Sequence, residues 1–319
     1  MIGQSEAFRS VRRLVSLMAD FDAPVLIEGE TGTGKELVAR AIHYDSARAS
    51  GPFVPVNCGG MPDALIENEL FGHRRGAFTD ARDNQPGLVA LARYGTLFLD
   101  EVDALSERGQ VALLRFLQDQ HFRPLGSRQE ERADVRLIAA SNQDLAAKVA
   151  AGAFRQDLMY RLRVLELCVP PLRARRDDLT LLAQHFVDCA SRRFGKPSKT
   201  IHPDTLAWFA RYDWPGNVRE LEHLVYRAFL LGQGDEISIP APESLGRHDA
   251  TACPPSLPRN YLLAKKQAIS DFENRFLKNL IAETHGNISA AARLAGTERR
   301  HLGRLLRKHQ LTKHANSGS

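Results

Sequence analysis

Four short apolar runs alternate with segments of helical spacing in the first half of the chain. The runs occupy residues 24–28, 53–57, 96–100 and 135–140. Between the third and fourth runs, apolar residues recur at helical intervals, as at Leu113, Leu114 and Leu117. Buried strands that alternate with helices are typical of a parallel sheet covered on both faces. The pattern therefore predicts an α/β fold for this half.

The strand pattern stops near residue 172, and only helical spacing continues. Residues 178–194 and 203–212 carry that spacing, whereas residues 232–259 hold many glycines and prolines. A further apolar helical face begins at Phe272. We therefore predict an α/β region at 1–171, a helical region at 172–232, a linker at 233–260 and a third domain at 261–312.

Composition and charge change this picture only at the tail, where they indicate a site of contact. The 319 residues are 43% hydrophobic and 25% charged, which excludes collagen-like and wholly disordered chains. Residues 261–319 carry a net charge of +7, and the rest carries −2. This asymmetry favours a polyanion contact, such as nucleic acid, through the tail. A solvated basic helix remains an alternative.

The sequence also predicts where the protein resides. No apolar stretch approaches the length of about 18 residues that a membrane span needs, and the start lacks a secretory signal. Cys58, Cys168, Cys189 and Cys253 form no CxxC pair, which favours reduced thiols over disulfides or a zinc site. We expect a cytoplasmic protein without a membrane contact.

The strongest chemical signal is a glycine-rich loop after the first apolar run. Its sequence, GETGTGKE, contains Gly29, Glu30, Thr31, Gly32, Thr33, Gly34, Lys35 and Glu36. In a GxxxxGK loop between a strand and a helix, backbone N–H groups converge on phosphate oxygens and the lysine meets the β and γ phosphates. Glu36 stands where a serine or threonine commonly contacts magnesium. A glycine-rich turn without a ligand is the alternative.

A pair of acids follows the third apolar run. Asp100 and Glu101 come at the predicted carboxyl edge of the sheet, where ligands of open α/β sheets bind. Asp100 could hold Mg²⁺, and Glu101 could orient or deprotonate an attacking water. A solvated acidic turn is the alternative for the pair alone. Together with the glycine-rich loop, the pair predicts a nucleoside triphosphatase.

Several strings in fixed order resemble those of one protein family. They are GETGTGKE at 29–36, ELFGHRRGAFTDA at 69–81, GTLFLDEVDAL at 95–105, FRQDLMYRL at 154–162, PPLRARRDD at 170–178 and WPGNVREL at 214–221. From Ile2 to Leu311 the chain resembles the bacterial enhancer-binding proteins, the AAA+ ATPase transcription activators of sigma-54 RNA polymerase. This resemblance implies an AAA+ P-loop domain, a helical lid and ATP with Mg²⁺, and in this family Glu36 is the usual residue after the lysine.

The resemblance also implies roles by position. Asn57 matches the residue that restrains the catalytic glutamate, Asn142 the γ-phosphate sensor, and Arg219 the second sensor. Arg155 and Arg161 match arginine fingers that reach a neighbouring subunit's ATP, which implies a homo-oligomeric ring, usually a hexamer. The residues alone leave alternatives open, namely turn or cap residues for the asparagines and surface ion pairs for the arginines.

The loop at 76–81 decides between two functions. In the family it reads GAFTGA, and the resemblance implies that Phe78 and Thr79 contact sigma-54. Here the fifth residue is Asp80 instead of glycine, which adds a charge and restricts the backbone. The first prediction is an activator that remodels the sigma-54 RNA polymerase holoenzyme to drive open-complex formation. The alternative is a DNA-binding AAA+ regulator that binds ATP and acts without this remodelling.

The basic tail predicts a third functional region. Helices are predicted at 273–284, 288–294 and 298–308, with Gly296 in the turn between the last two. This pattern is typical of a helix-turn-helix, and it resembles the Fis-type domain that ends the family. Its candidate contacts with double-stranded upstream DNA are Arg299, Arg300, His301 and Arg304. A basic protein-docking bundle is the alternative.

Two further expectations concern the chain as a whole. A general AAA+ remodeller, such as a chaperone motor, would fit the ATPase core and not the tail. Since the resemblance begins at Ile2, we expect no sensory module before it. Control would then come from another protein or from a domain removed from this chain.

Overall fold

The computed structural model describes most of the first 241 residues and part of the tail. The described residues are 1–60, 62, 65–78, 81–232, 234–241, 273, 276–277, 280, 284, 287–297 and 299–308. The chain divides into two compact units, Met1–Gly246 and Arg247–Ser319. Each unit is described by itself.

The helices and strands alternate through the first unit. The helices are α1 Glu6–Ala19, α2 Lys35–Tyr44, α3 Ile66–Phe71, α4 Leu88–Leu91, α5 Glu107–Asp119, α6 Leu145–Ala150, α7 Gln156–Leu162, α8 Leu179–Phe194, α9 Pro203–Phe209 and α10 Asn217–Leu231. The strands are β1 Val25–Glu28, β2 Phe53–Asn57, β3 Gly72–His73, β4 Gln85–Pro86, β5 Thr96–Asp100, β6 His121–Phe122, β7 Glu131–Arg132, β8 Arg136–Ser141, β9 Leu165–Cys168, β10 Thr200–Ile201 and β11 Glu236–Ile237. Short 3₁₀ helices follow at Val102–Ala104, Leu172–Ala174 and Arg176–Asp178.

A five-stranded parallel sheet organises the α/β region. Its strand order is β2-β5-β8-β1-β9, with Asn57 level with Asp100 and Glu28 level with Ser141. Alternate residues of β1 enter opposite cores, since Ile27 packs with α1 and α2 while Leu26 packs with α5 and α7. The predicted α/β sheet with helices on both faces is confirmed, and the four apolar runs are its inner strands and one edge strand.

A helical region with its own core follows β9. Its core combines α8, α9 and α10 around Trp214, which is fully buried. Strand β11 pairs in parallel with β10, and Ile237 and Ile239 belong to this core. The segment 233–260, for which the sequence predicts a linker, therefore begins with residues that complete the helical region.

The second unit contributes two described helices, α11 at Ile288–Leu294 and α12 at Arg299–Lys308. Asn287 caps α11 by accepting bonds from the Ser289 and Ala290 amides, each at 3.1 Å. Gly296 lies between the helices with a φ of 62°. The small apolar core consists of Leu277, Leu280, Ala291, Ala292, Leu302 and Leu306. None of the described helices has the length and apolar character needed to cross a membrane.

Candidate active site

The glycine-rich loop joins β1 to α2, and its backbone carbonyls accept hydrogen bonds from its own lysine. Gly34 caps α2 with a φ of 98°, a left-handed conformation that glycine adopts without strain. Lys35 is only 7% exposed. Its Nζ donates to the Gly29 carbonyl at 2.7 Å and to the Glu30 carbonyl at 3.2 Å. The loop thus holds a buried cation at the carboxyl edge of the sheet.

Three carboxylates face this lysine. Burial lowers the pKa of Lys35, and the nearby charges of Asp100, Asp103 and Glu101 act in the opposite direction. The structure therefore brings the loop and the predicted acid pair together, although they are more than 60 residues apart in sequence. Asp103 also belongs to this group, and the sequence reasoning did not single it out.

The acid pair begins a turn at residues 100–105, the acid turn, which starts at the last residue of β5 and includes the 3₁₀ helix Val102–Ala104. Asp100 Oδ1 accepts a bond from the Glu101 amide at 3.0 Å, and Glu101 has a φ of 53°. Left-handed backbone at a residue other than glycine costs energy and is common at active sites. The turn directs the Glu101 side chain towards Gly59. If this glycine carried a Cβ atom, that atom would lie only 2.4 Å from Glu101 Oε2.

Asn57 and Asn142 lie on either side of this acid turn. Asn57 ends β2 and accepts a bond from the Gly60 amide at 3.0 Å. A Cβ added to Gly59 would also lie 3.4 Å from Asn57 Oδ1. The Asn57 amide and the Glu101 carboxylate are therefore close to the same point. Asn142 follows β8 and donates to Thr31 Oγ1 at 3.3 Å. The Asn142 Oδ1 atom is buried without a hydrogen-bond partner among the described residues.

The helical region closes over the glycine-rich loop through the start of α10. The Val218 and Arg219 amides both donate to the Gly32 carbonyl, at 3.0 and 3.3 Å. A Cβ at Gly32 would lie 2.3 Å from the Gly216 carbonyl oxygen, so only glycine permits this approach. The charge of Arg219 contributes to lowering the pKa of Lys35. Arg219 is thus placed beside the loop.

Sequence reasoning missed three residues that join the loop to the helical region. Asn217 is fully buried and donates to the Thr31 carbonyl at 3.0 Å and to Glu30 Oε2 at 3.1 Å. Arg173 forms an ion pair with Glu30, and these partners lower the pKa of Glu30 to about 2. Arg175 donates to the Thr33 carbonyl at 3.1 Å. The quoted strings PPLRARRDD and WPGNVREL contain all three, and position in a motif was their only signal.

The predicted arginine fingers lie on α7, away from their own loop. Arg155 is the N-cap residue of α7 and pairs with Asp157, with an Nη2–Oδ2 distance of 2.7 Å. Arg161 is exposed in the last turn of α7 and lines a cavity of about 230 Å³ with Asp22 and Arg136. Among the described contacts of Arg155, none is with the glycine-rich loop.

Three further predicted positions have different surroundings. Glu36 accepts two bonds from Arg40 on the surface of α2, at 3.0 and 2.7 Å. Phe78 is 44% exposed, with its ring centroid 4.9 Å from that of His73. Thr79 and Asp80 lie outside the described residues. In the second unit, Arg299, Arg300, His301 and Arg304 are exposed on α12.

Cys58 is the buried thiol nearest the acid turn. Its amide donates to the Asp100 carbonyl at 2.9 Å. Burial, with the nearby carboxylates, raises the pKa of its thiol to about 12. A protonated thiol is neither a nucleophile nor a metal ligand. Cys58 therefore packs in the core and is not part of the candidate site.

The fold and this site define a P-loop protein of the AAA+ ATPase class, with a parallel sheet followed by a helical lid. The model of the sigma-54 interaction domain matches residues 1–168, and that of the AAA+ ATPase lid domain matches residues 173–249. The chain belongs to the sigma-54 interaction domain family. The resemblance predicted from the sequence is thereby confirmed for these two regions.

Curated relatives are bacterial regulators of transcription. The hydrogenase transcriptional regulatory protein HoxA of Bradyrhizobium diazoefficiens is 44% identical and matches 93% of this chain and 61% of its own length. The anaerobic nitric oxide reductase transcription regulator NorR of Salmonella agona is 42% identical, with 97% and 62% covered. The response regulator PilR of Pseudomonas aeruginosa is 42% identical, with 97% and 69% covered. The chain thus spans about three fifths of the length of the first two relatives.

Solved structures of a relative carry nucleotides. NtrX from Brucella abortus in complex with ATP is 35% identical, with a TM-score of 0.74 over 97% of this chain and 69% of that one. The same protein in complex with ADP gives a TM-score of 0.73. These structures support the AAA+ ATPase class of this chain.

Proposed function

We propose that this chain is an ATP-hydrolysing transcription regulator. It would bind upstream DNA through its tail and use ATP turnover to remodel the sigma-54 RNA polymerase holoenzyme. The observation that carries this proposal is the cluster of Lys35, Asp100 and Glu101 at one sheet edge, beneath the lid residue Arg219. A buried cation beside two acids fits the triphosphate chemistry of the family.

Each side chain of the cluster has a defined part in the reaction. Lys35 and the loop amides bind the β and γ phosphates. Glu101 orients the attacking water and accepts its proton, while the water oxygen forms a bond to the γ-phosphorus and ADP leaves. Asn142 donates to the γ-phosphate through its Nδ2 amide, and the bond from this amide to Thr31 in the glycine-rich loop supports that role. Asn57 lies near Glu101, where it restrains the carboxylate until the partner is engaged.

The residues present also fit magnesium. Mg²⁺ commonly binds one or two carboxylates together with substrate phosphates and waters. Asp100 supplies such a carboxylate beside Lys35. Glu36 does not fit this role, because its carboxylate is engaged by Arg40 on the helix surface. Bound there, the metal would neutralise charge on the phosphates.

The active site in this proposal is shared between subunits. Arg155 or Arg161 would stabilise the charge of the transferring phosphate on a neighbouring subunit, so turnover requires a homo-oligomeric ring, taken to be a hexamer. Phe78 supports the contact with sigma-54, because this aromatic ring is 44% exposed on the loop that the family uses. Arg299, Arg300, His301 and Arg304 would contact double-stranded DNA.

The first experiment measures ATP hydrolysis against protein concentration, with and without sigma-54 and its promoter DNA, alongside open-complex formation. We expect the turnover per subunit to rise steeply with concentration and open complexes to form. Turnover that is independent of concentration would contradict the shared site. The absence of turnover at every concentration would contradict the ATPase itself.

A second candidate function rests on one residue. Asp80 stands where the family has glycine, which favours a regulator that binds DNA and ATP without remodelling sigma-54. The matched pair is the unaltered protein and Asp80→Gly, compared in open-complex formation at equal ATP turnover. Open complexes from the unaltered protein would contradict the second candidate. Open complexes from Asp80→Gly alone would support it.

A further inference from the structure

A buried glutamine links the acid turn to the backbone of Arg155. Gln110 lies on α5 and is 2% exposed. Its Nε2 donates to the Leu105 carbonyl at 2.9 Å and to the Ala153 carbonyl at 3.2 Å. Its Oε1 accepts a bond from the Arg155 amide at 2.8 Å. One side chain thus holds both the end of the acid turn and the residue that begins α7.

A partly buried ion pair makes a second link between the same two parts of the fold. Lys148 on α6 donates to the Asp103 carbonyl at 2.7 Å and to Asp103 Oδ2 at 3.3 Å. The Asp103 side chain is 5% exposed, and its Oδ1 accepts a bond from Ser141 Oγ at 3.0 Å. Ser141 directly precedes Asn142. Helix α6 leads within five residues to Arg155.

We propose that Gln110 and the Asp103–Lys148 pair form a brace that sets the position of Arg155 relative to the acids of its own subunit. These three are positioning residues, which affect the reaction through Arg155. The inference rests on the proposed function, in which Arg155 acts on the neighbouring subunit's ATP. It adds a physical route by which the state of one subunit's ATP site changes the position of the arginine that reaches the next ATP site.

Rigid contacts can carry a displacement from the acid turn to α7. The acid turn lies beside the γ-phosphate sensor, and both braces bond directly to this turn or to its neighbour Ser141. Buried hydrogen bonds that are satisfied at both ends hold their partners in one arrangement, since breaking them leaves polar groups unpaired. A displacement of the turn would therefore move the start of α7. Arg155 would then change its reach towards the neighbour.

The test uses an isosteric variant and a matched control. Gln110→Met keeps the length of the side chain and removes all three bonds. Gln118→Met makes the same change on the exposed side of α5. We expect Gln110→Met to lower turnover about 10²-fold, because a displacement of about 1 Å in a catalytic group costs that much. The affinity of Gln110→Met for a fluorescent ATP analogue should remain unchanged. The turnover of the control Gln118→Met should also remain unchanged.

Mixed rings separate positioning from general damage to the subunit. Glu101→Gln subunits lack the water-activating acid and keep intact fingers. Mixed with them, Gln110→Met subunits keep competent acids and receive well-placed fingers from the neighbours. We expect the mixture to hydrolyse ATP about tenfold faster than the sum of the rates of the two variants measured separately. The Arg155→Ala variant, mixed in the same way, is the reference for a pure finger defect.

Each outcome decides one claim. Rescue of both variants supports the brace. Rescue of Arg155→Ala without rescue of Gln110→Met overturns the brace and leaves the shared site standing. Failure of both rescues overturns the finger role of Arg155 and the brace with it. If Gln110→Met does not fold, Lys148→Met replaces it, because the Lys148 side chain is 24% exposed; Lys196→Met, at an exposed position, is its control.

Discussion

Lys35 is held in a site where its own charge is costly. Burial lowers its pKa, while three carboxylates oppose that effect without forming a direct ion pair within 4 Å among the described residues. A cation and several acids at one edge of the sheet form a site for groups of both signs. A phosphate chain with a divalent cation supplies such groups, which is why this arrangement favours nucleotide binding over a purely structural role.

Glu101 provides the sharpest test at this scale. In Glu101→Gln we expect ATP binding to remain and turnover to fall at least about 10²-fold, because an amide cannot accept the proton of water. Binding is measured with a fluorescent ATP analogue, and turnover by phosphate release. Glu107→Gln, at an exposed position on α5, is the control. Retained turnover in Glu101→Gln would show that another group activates the water.

Cys58 gives a prediction on pH. The pKa of its thiol in the folded protein is raised to about 12 from an ordinary 9.0, so the folded state binds this proton more tightly. The resulting stability is present below pH 9 and is lost as the pH rises towards 12. At pH 8, iodoacetamide should spare Cys58 in the native protein and modify it in urea, as measured by mass spectrometry. Equal modification under both conditions would contradict this burial.

The elements of the sheet were predictable because their pattern is local. Parallel strands buried on both faces read as continuous apolar runs, and the runs at 24–28, 53–57, 96–100 and 135–140 each match a strand to within one residue. The edge strand β9 has an alternating, half-exposed pattern and was not predicted. Nor was the pairing of β10 with β11, which are two residues long and more than 30 residues apart. Such short elements depend on tertiary contacts.

The start of α10 carries a prediction on the lid. Asn217 has a φ of 51°, and its Oδ1 accepts a bond from the Leu172 amide at 2.8 Å. We expect Asn217→Ala to lower the free energy of unfolding by about 2–4 kcal/mol, because buried groups lose partners and alanine is strained in this conformation. Urea unfolding followed by tryptophan fluorescence measures this, since Trp208 and Trp214 both lie in the lid core.

Asn217→Gly is the matched variant for the lid. Glycine adopts the left-handed conformation freely, so this variant should be more stable than Asn217→Ala by about 1 kcal/mol while still lacking the side-chain bonds. Both variants should bind ATP more weakly than the unaltered protein, because Glu30 and Thr31 lose contacts with the lid. An unfolding curve of Asn217→Ala that matches the unaltered protein would contradict this role of Asn217.

At the scale of the whole molecule, the sequence located the chemistry but not the contacts that organise it. Lys35, Asp100 and Glu101 belong to motifs, and the geometry of a parallel sheet brings motif loops to one edge. The brace had no such signal, because Gln110 bonds to backbone atoms of residues 43 and 45 positions away. A hydrogen bond to a backbone atom does not depend on the residue type of the partner, so the sequence gives no sign of it. Contacts of this kind are therefore found only in the structure.

The basic tail carries the last prediction. Arg300 and Arg304 are exposed and one turn apart on α12, within the second compact unit. If they contact DNA, Arg300→Ala with Arg304→Ala should weaken binding and reduce the slope of log affinity against log salt by about 1 for each lost phosphate contact. Fluorescence anisotropy over a salt series measures both quantities. ATP turnover should be retained, since neither residue lies in the unit that holds the site.

A control variant on the neighbouring helix, compared per charge removed, separates a DNA-reading helix from general basicity. Arg293→Ala removes an exposed charge from α11, the helix before the turn, and should change DNA affinity less than the double variant. If all variants lose affinity only in proportion to charge, the tail attracts DNA without presenting α12 to a groove. If the double variant binds DNA with an unchanged salt slope, α12 does not contact DNA. The basic protein-docking bundle would then be the better account of this unit.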